Sequence, residues 1–307
     1  MVAIGVVALA WLIAPMLLSR YIVDLLVFAG IYSIAGLGVG LMLGQCGIVN
    51  IAQAAFYGVG GYASAYMTVQ AGLSPIAGFA TGIAISMVVA AAVGWPVLRM
   101  HGFFLALATM ALSLIGNALF YELEGITGGS LGIGGIPKLH VFGVVLDTPQ
   151  RFYYFIWPIA LLLMWLSTNL VNGRVGLAMR AMRDAAPAAE VMAVDMRKLK
   201  TAMFVLCAML GSTAGSLFAH YVSFVSVESF TILRSITFLL IPVIAGVTSI
   251  WGLVVGALFI TLAPELLSSI GEIHQILFGF ALVLIVRFMP DGIVGWVSRG
   301  IAGKGGA

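Results

Sequence analysis

About ten apolar stretches, each near the ~20 residues that a helix needs to cross a bilayer, fill most of this chain. They cover roughly residues 2–18, 25–44, 49–69, 75–95, 102–121, 151–169, 201–221, 235–250, 252–271 and 273–289. No other feature constrains the fold as strongly. A water-soluble domain carries about one-quarter charged residues, whereas here 8% are charged and 62% are apolar. Twenty-five charged side chains, 14 basic and 11 acidic, are too few to cover a soluble fold of 307 residues. The 38 glycines suit helices that approach closely in lipid. The alternating ~10-residue segments of an outer-membrane barrel are not seen. The expectation is an all-α, polytopic transmembrane helical bundle of about ten spans, some short or broken, forming one domain over residues 1–307.

Two connections are long, at 122–150 and 170–200, and the basic residues orient the chain around them. Lys and Arg concentrate in cytoplasmic loops. With 170–200 placed inside, the cytoplasmic side receives Arg99, Arg174, Arg180, Arg183, Arg197, Lys198, Lys200, Arg287, Arg299 and Lys304. The other side receives only Arg20, Lys138, Arg151 and Arg234. Ten crossings then put both termini in the cytoplasm and make 122–150 an extracytoplasmic loop. The net charge of +3 records this bias, so no nucleic-acid partner is expected. Residues 2–18 lack a basic region ahead of their apolar run and read as a first span, not a cleaved signal. Cys46 and Cys207 read as unpaired packing residues.

Polar and glycine interruptions mark where a span is not a simple rod. Residues 44–62 mix glycines with Gln45, Asn50 and Gln53, and the stretches 235–250 and 252–271 meet at Ser249–Gly252. Irregular backbone at membrane depth is tolerated only inside protein or beside a watery cavity, and broken helices of this kind often line transport sites. Tight helix packing is the plainer explanation. The loop 170–200 predicts a helix at about 176–185 and, after Pro187, a second at about 187–194. Met179, Met182 and Ala186 share a face of the first, with Arg180, Arg183 and Asp184 on another. A folded amphipathic loop has something to dock against. Its mixed charge, with Glu190 and Asp195 among the bases, favours a protein over anionic lipid.

Catalytic patterns are missing from the sequence, so the chain is not expected to be an enzyme. There is no Walker A pattern and no His-Glu-x-x-His, and the four histidines are scattered, so no metal site is expected. Gly128–Gly132 matches Gly-x-Ser-x-Gly only by letter, without the strand–turn–helix context a nucleophile elbow needs. Glu265 and Arg287 lie toward span ends, and no chain of buried Asp, Glu or His suggests a proton relay. This weighs against a stand-alone ion-coupled secondary transporter, the alternative from a different class.

Four stretches in order resemble the branched-chain amino acid ABC transporter permease family, in its LivM-type subunit. They are Leu43–Tyr62, the outer Gly-rich Thr127–Pro137, the cytoplasmic Asn172–Asp184 with Ala188, Ala189 and Glu190, and Pro290–Gly295. The resemblance runs from about residue 25 to 296. Ala245–Thr248 departs from the family's Gly-rich run ahead of Ser249, which leaves an importer of urea or short amides as an alternative. The resemblance implies a permease subunit of an ABC importer in the bacterial inner membrane. Its partners are two cytoplasmic ATPase subunits, which bind the ATP and Mg so that this chain holds no cofactor, a LivH-type second permease and an extracytoplasmic binding protein. It implies that Arg180, Arg183, Asp184, Ala188, Ala189 and Glu190 form the coupling loop. Asn50, Gln53, Thr109 and Asn117 are the polar candidates for the translocation path.

Overall fold

Residue 15 and residues 17–141, 143–184, 195–268, 274–289 and 292–296 are described in the computed structural model of the chain. The helices are α1 (Arg20–Gly40), running on into a π-helical turn at Leu41–Gln45, α2 (Gln53–Val69), α3 (Pro75–Val97), α4 (Gly102–Glu122), α5 (Pro149–Asn172), α6 (Arg174–Asp184), α7 (Met196–Val222), α8 (Ile232–Ala245), α9 (Gly252–Ser268) and α10 (His274–Phe288). Small polar residues start several of them. The side chains of Ser19, Ser74, Thr148 and Asp195 accept backbone N–H groups in the first turns of α1, α3, α5 and α7. Pro75 and Pro149 follow two of these caps, where a missing N–H costs nothing.

Among the described residues, six helices are long and apolar enough to cross a membrane by length and composition. They are α1 with its π turn, α3, α4, α5, α7 and the segment Val227–Ala245 that contains α8. The count of about ten is not reached by this measure. Most of the stretch 2–18 lies outside the described residues, α2 and α9 have 17 residues each, and α10 has 15. The all-α expectation needs a small correction. Four two-residue strands, β1 (Ile133–Gly134), β2 (His140–Val141), β3 (Val144–Val145) and β4 (Phe224–Val225), pair as β1–β4 and β2–β3, both antiparallel. They tie the loop 122–150 to itself and to the end of α7, where its backbone needs partners outside a helix.

The bundle has a centre and a rim. The apolar windows of α1 and α7 are 83% and 72% buried, and those of α3 and α4 only 22%. At the centre α2 packs against α3 and α7 almost backbone to backbone. A Cβ on Gly215 would lie 1.8 Å from the Tyr57 carbonyl oxygen, and one on Gly60 2.0 Å from that of Ser212. The small-residue spacings Gly78/Gly82, Gly211/Gly215 and Gly252/Gly256 therefore serve helix packing, as expected. Around α2, Tyr57, Tyr62, Phe120, Phe218, Phe230 and Phe238 form one aromatic cluster.

Candidate functional site

The chain breaks between α1 and α2. After the π turn and Cys46, residues 47–52 are not helical, and α2 restarts deep in the bundle. The Gln53 amide nitrogen donates to the carbonyls of Ala35 (2.9 Å) and Cys207 (3.3 Å). Ala35 lies ten residues before Gln45, so the chain has travelled back about 15 Å along α1 before α2 begins. Such a run leaves backbone donors without helical partners, and side chains from within it and from other helices supply them. Thr109 accepts the N–H of Ile51 (3.2 Å), Asn50 that of Ala52 (2.9 Å) and Ser235 that of Ala54 (2.8 Å).

The predicted path residues meet here, apart from one. Asn50 is fully buried and its amide nitrogen donates to the Cys207 sulfur (3.2 Å). Gln53 lies in a slot between Gly38 and Gly211 and its carbonyl oxygen accepts from the Cys207 thiol (3.0 Å). Thr109 on α4 holds the break. Asn117, two turns further along α4, is half-buried and donates to the carbonyls of Val227 (3.3 Å) and Phe230 (3.4 Å), away from the break. Each has a protein partner. The sequence reading missed Ser113, Ser235 and Cys207 as members of the same network, in which the Ser113 and Ser235 hydroxyls lie 3.3 Å apart.

Beneath the break lies α6. Its buried face carries Met179 and Met182, as the spacing predicted, together with Gly176; Ala186, the third residue expected there, lies outside the described residues, and the helix starts two residues earlier than expected, at Arg174. Two of its three arginines turn toward the bundle. The Arg180 guanidinium donates to the Val171 carbonyl near the end of α5 (2.9 Å). That of Arg183 donates to the Gly44 carbonyl in the π turn (2.5 Å), with its stem against Gly47. Both cations thus sit at helix C-terminal carbonyls, where the helix dipole favours positive charge. Asp184 is exposed, and the hydrogen bond from Arg183 holds its carboxyl below the usual carboxylate range. Ala188, Ala189, Glu190 and the second predicted helix at 187–194 lie outside the described residues.

Two further elements close on the break. The carbonyl of Val247, between α8 and α9, lies so close to Gly44 that a Cβ there would sit 1.9 Å away, and Gln45 donates to the Thr248 carbonyl (3.4 Å). Gly292 packs in turn on Gly246. A cavity of about 670 Å³ opens between the break, the α3–α4 turn and α6, lined by Val49, Arg99, His101, Arg183, Arg197 and Lys200 among others. Arg197 stacks 3.9 Å from the centre of the Trp95 ring. The structure therefore gathers four of the ten cations assigned to the cytoplasm at one end, opposite Arg20. Among the described residues no cluster of His, Cys, Asp and Glu suits a metal ion.

The structure thus ties an amphipathic helix to a broken membrane helix, and the comparisons with known proteins supply the family. Residues 21–286 match the family described as branched-chain amino acid transport system / permease component. The chain is 31% identical to the high-affinity branched-chain amino acid transport system permease protein LivM of Escherichia coli K12, over 100% of this chain and 77% of that protein. It is also 31% identical to LivM of Salmonella typhimurium, over 96% of this chain and 74% of that protein. Identity to the E. coli K12 permease LivH is 25%, over 86% and 91%. No solved structure matches the chain. The chain is a multi-pass membrane protein and belongs to the family of branched-chain amino acid transport permeases.

Proposed function

We propose that this chain is a permease subunit of an ATP-binding-cassette importer that carries branched-chain, hydrophobic amino acids across the bacterial inner membrane. The observation that carries the reading is α6, whose inner face is tied to the helix break through Arg183 while Asp184 faces out. A helix so placed offers one face to a partner and holds the element that must move with the other.

In this reading two cytoplasmic ATPase subunits dock on the loop 170–200 and bind and hydrolyse ATP with Mg, while this chain contributes no catalytic residue or cofactor. Asp184 faces out, Ala188, Ala189 and Glu190 belong to the same docking loop, and Arg180 and Arg183 pass the movement inward. A LivH-type permease stands beside the chain, and an extracytoplasmic binding protein delivers the solute. The whole chain acts as one domain with both termini in the cytoplasm. Asn50, Gln53 and Thr109 order the broken segment along the translocation path, and Asn117 braces α4 above it. Support comes from the names of the relatives, which include both LivM and LivH permeases.

The test is reconstitution of the chain with a second permease, ATPases and binding protein in proteoliposomes. The expected result is ATP-dependent uptake of leucine, isoleucine and valine, with urea and acetamide excluded. Uptake by this chain alone under an ion gradient would overturn the reading, and uptake of urea would move it to the amide importers.

A further inference from the structure

Arg234 lies in the first turn of α8, half-buried in a segment apolar enough to span a membrane. It borders a groove of about 430 Å³ between α1, α7, α8 and α9, whose walls include Phe28, Tyr32, Phe218, Thr237 and Ile260. That volume falls within the ~300–1,000 Å³ of small-molecule sites. The guanidinium donates to the Tyr32 hydroxyl (2.6 Å) and lies 5.4 Å from the centre of that ring. These contacts fix its position without neutralising its charge. No carboxylate among the described residues pairs with it. Two acids in the same half of the bundle are engaged elsewhere, Asp24 by the Tyr221 hydroxyl and Glu265 by Tyr21. A half-buried cation without a carboxylate at the end of a span is costly to desolvate, and ionisable residues kept in such segments mark ligand and ion pathways.

We propose that this groove binds the carboxylate of a small solute with an apolar tail, with Arg234 as the residue that recognises the anion. One guanidinium nitrogen is held by Tyr32, and the remaining N–H donors keep the planar fork that fits a carboxylate. The aromatic and aliphatic walls take the tail. The lining contains no acid, so the groove forms no ion pair with an ammonium group. A neutral amide accepts one hydrogen bond from Arg234 but forms neither the ion pair nor the two-oxygen fork, and the site thereby favours hydrophobic amino acids over urea and short amides. The inference rests on the transport reading only in taking the occupant to be cargo.

The experiment measures binding without ATP. The full chain, purified with its partner permease and ATPases, is titrated with 4-methylpentanoate and with the isosteric 4-methylpentanamide, and the thermal unfolding midpoint is followed. The acid is expected to stabilise the wild-type assembly at concentrations about tenfold or more below those at which the amide does. Arg234→Gln should weaken the apparent affinity for the acid about tenfold or more. Arg234→Lys should keep part of it, and Thr237→Phe, which retains the cation but fills the groove, should lose it. Equal effects of acid and amide, or wild-type affinity in Arg234→Gln, would overturn the proposal. So would displacement of bound phosphatidylglycerol as the sole effect of Arg234→Gln, which would assign the cation to a lipid headgroup. Should Arg234→Gln fail to fold, the acid–amide pair on the wild type and Thr237→Phe decide alone. Failure of ATP-driven uptake in the reconstituted importer would sink the transport reading and leave this binding result standing.

Discussion

Ser235 shows how much one hydroxyl can carry in a membrane core. It accepts the N–H of Ala54 in the first turn of α2 and meets the Ser113 hydroxyl. Replacing it with alanine strands a buried backbone donor, which costs about 1–3 kcal/mol. Ser235→Ala should therefore lower the thermal unfolding midpoint of the purified chain clearly more than Ser113→Ala, which leaves the Ala54 bond intact. Equal losses would mean that Ser235 acts by packing alone. The sequence revealed half of this network. Thr109, Ser113 and Asn117 recur every fourth residue on α4, the spacing of one helix face, and that spacing was the unused signal for Ser113. Ser235 carried no such sign, because an isolated serine in an apolar run is ordinary and its partner is 181 positions away. Arg234 was illegible for another reason. It stands at the seam between a loop and a span, where sequence assigns a charge to water, and only the packing of α1 and α9 against α8 shows the groove that it borders.

At the scale of elements, the break and α6 were the most legible features, because each violates a rule. Glycines with Gln45, Asn50 and Gln53 do not make a simple membrane rod, and Pro187 and the paired arginines do not make a plain loop. The direction of the arginines was not legible. Helical spacing puts Arg180 and Arg183 with Asp184 on the polar face, yet long side chains bend, and both reach carbonyls of membrane helices. Arg183 should then act within the permease and not on the ATPase. Arg183→Ala is expected to leave ATPase association unchanged in pull-down measurements while uptake per ATP hydrolysed falls about tenfold, within the range of ordinary allosteric couplings. Loss of association would make Arg183 a docking residue. The π turn is a suitable receiver for such a push, since its wider hydrogen-bond spacing already departs from the α-helical ladder.

For the molecule as a whole, the claim that matters is which end faces the cytoplasm, because ATPases reach α6 from one side only. The cavity beside the break gathers Arg99, Arg183, Arg197 and Lys200, and the loop 122–150 lies at the far end with Lys138 against the Tyr221 carbonyl. The sign bias of loops is the ground for the proposed orientation, in which the cavity end faces the cytoplasm. Two exposed positions mark the ends. Leu131, in the outer loop, is 85% exposed, and Met100, in the α3–α4 turn, is 46% exposed. The native thiols Cys46 and Cys207 are buried, so they give little background. In spheroplasts a membrane-impermeant maleimide should label Leu131→Cys directly and Met100→Cys only after permeabilisation. The opposite pattern would put α6 outside, beyond the reach of any cytoplasmic ATPase, and the importer reading would fail whatever the relatives are called. The expected pattern places the Arg183 contact on the side where ATP is hydrolysed. The groove at Arg234 then falls on the side from which solute arrives, as an importer requires of a recognition site and its drive.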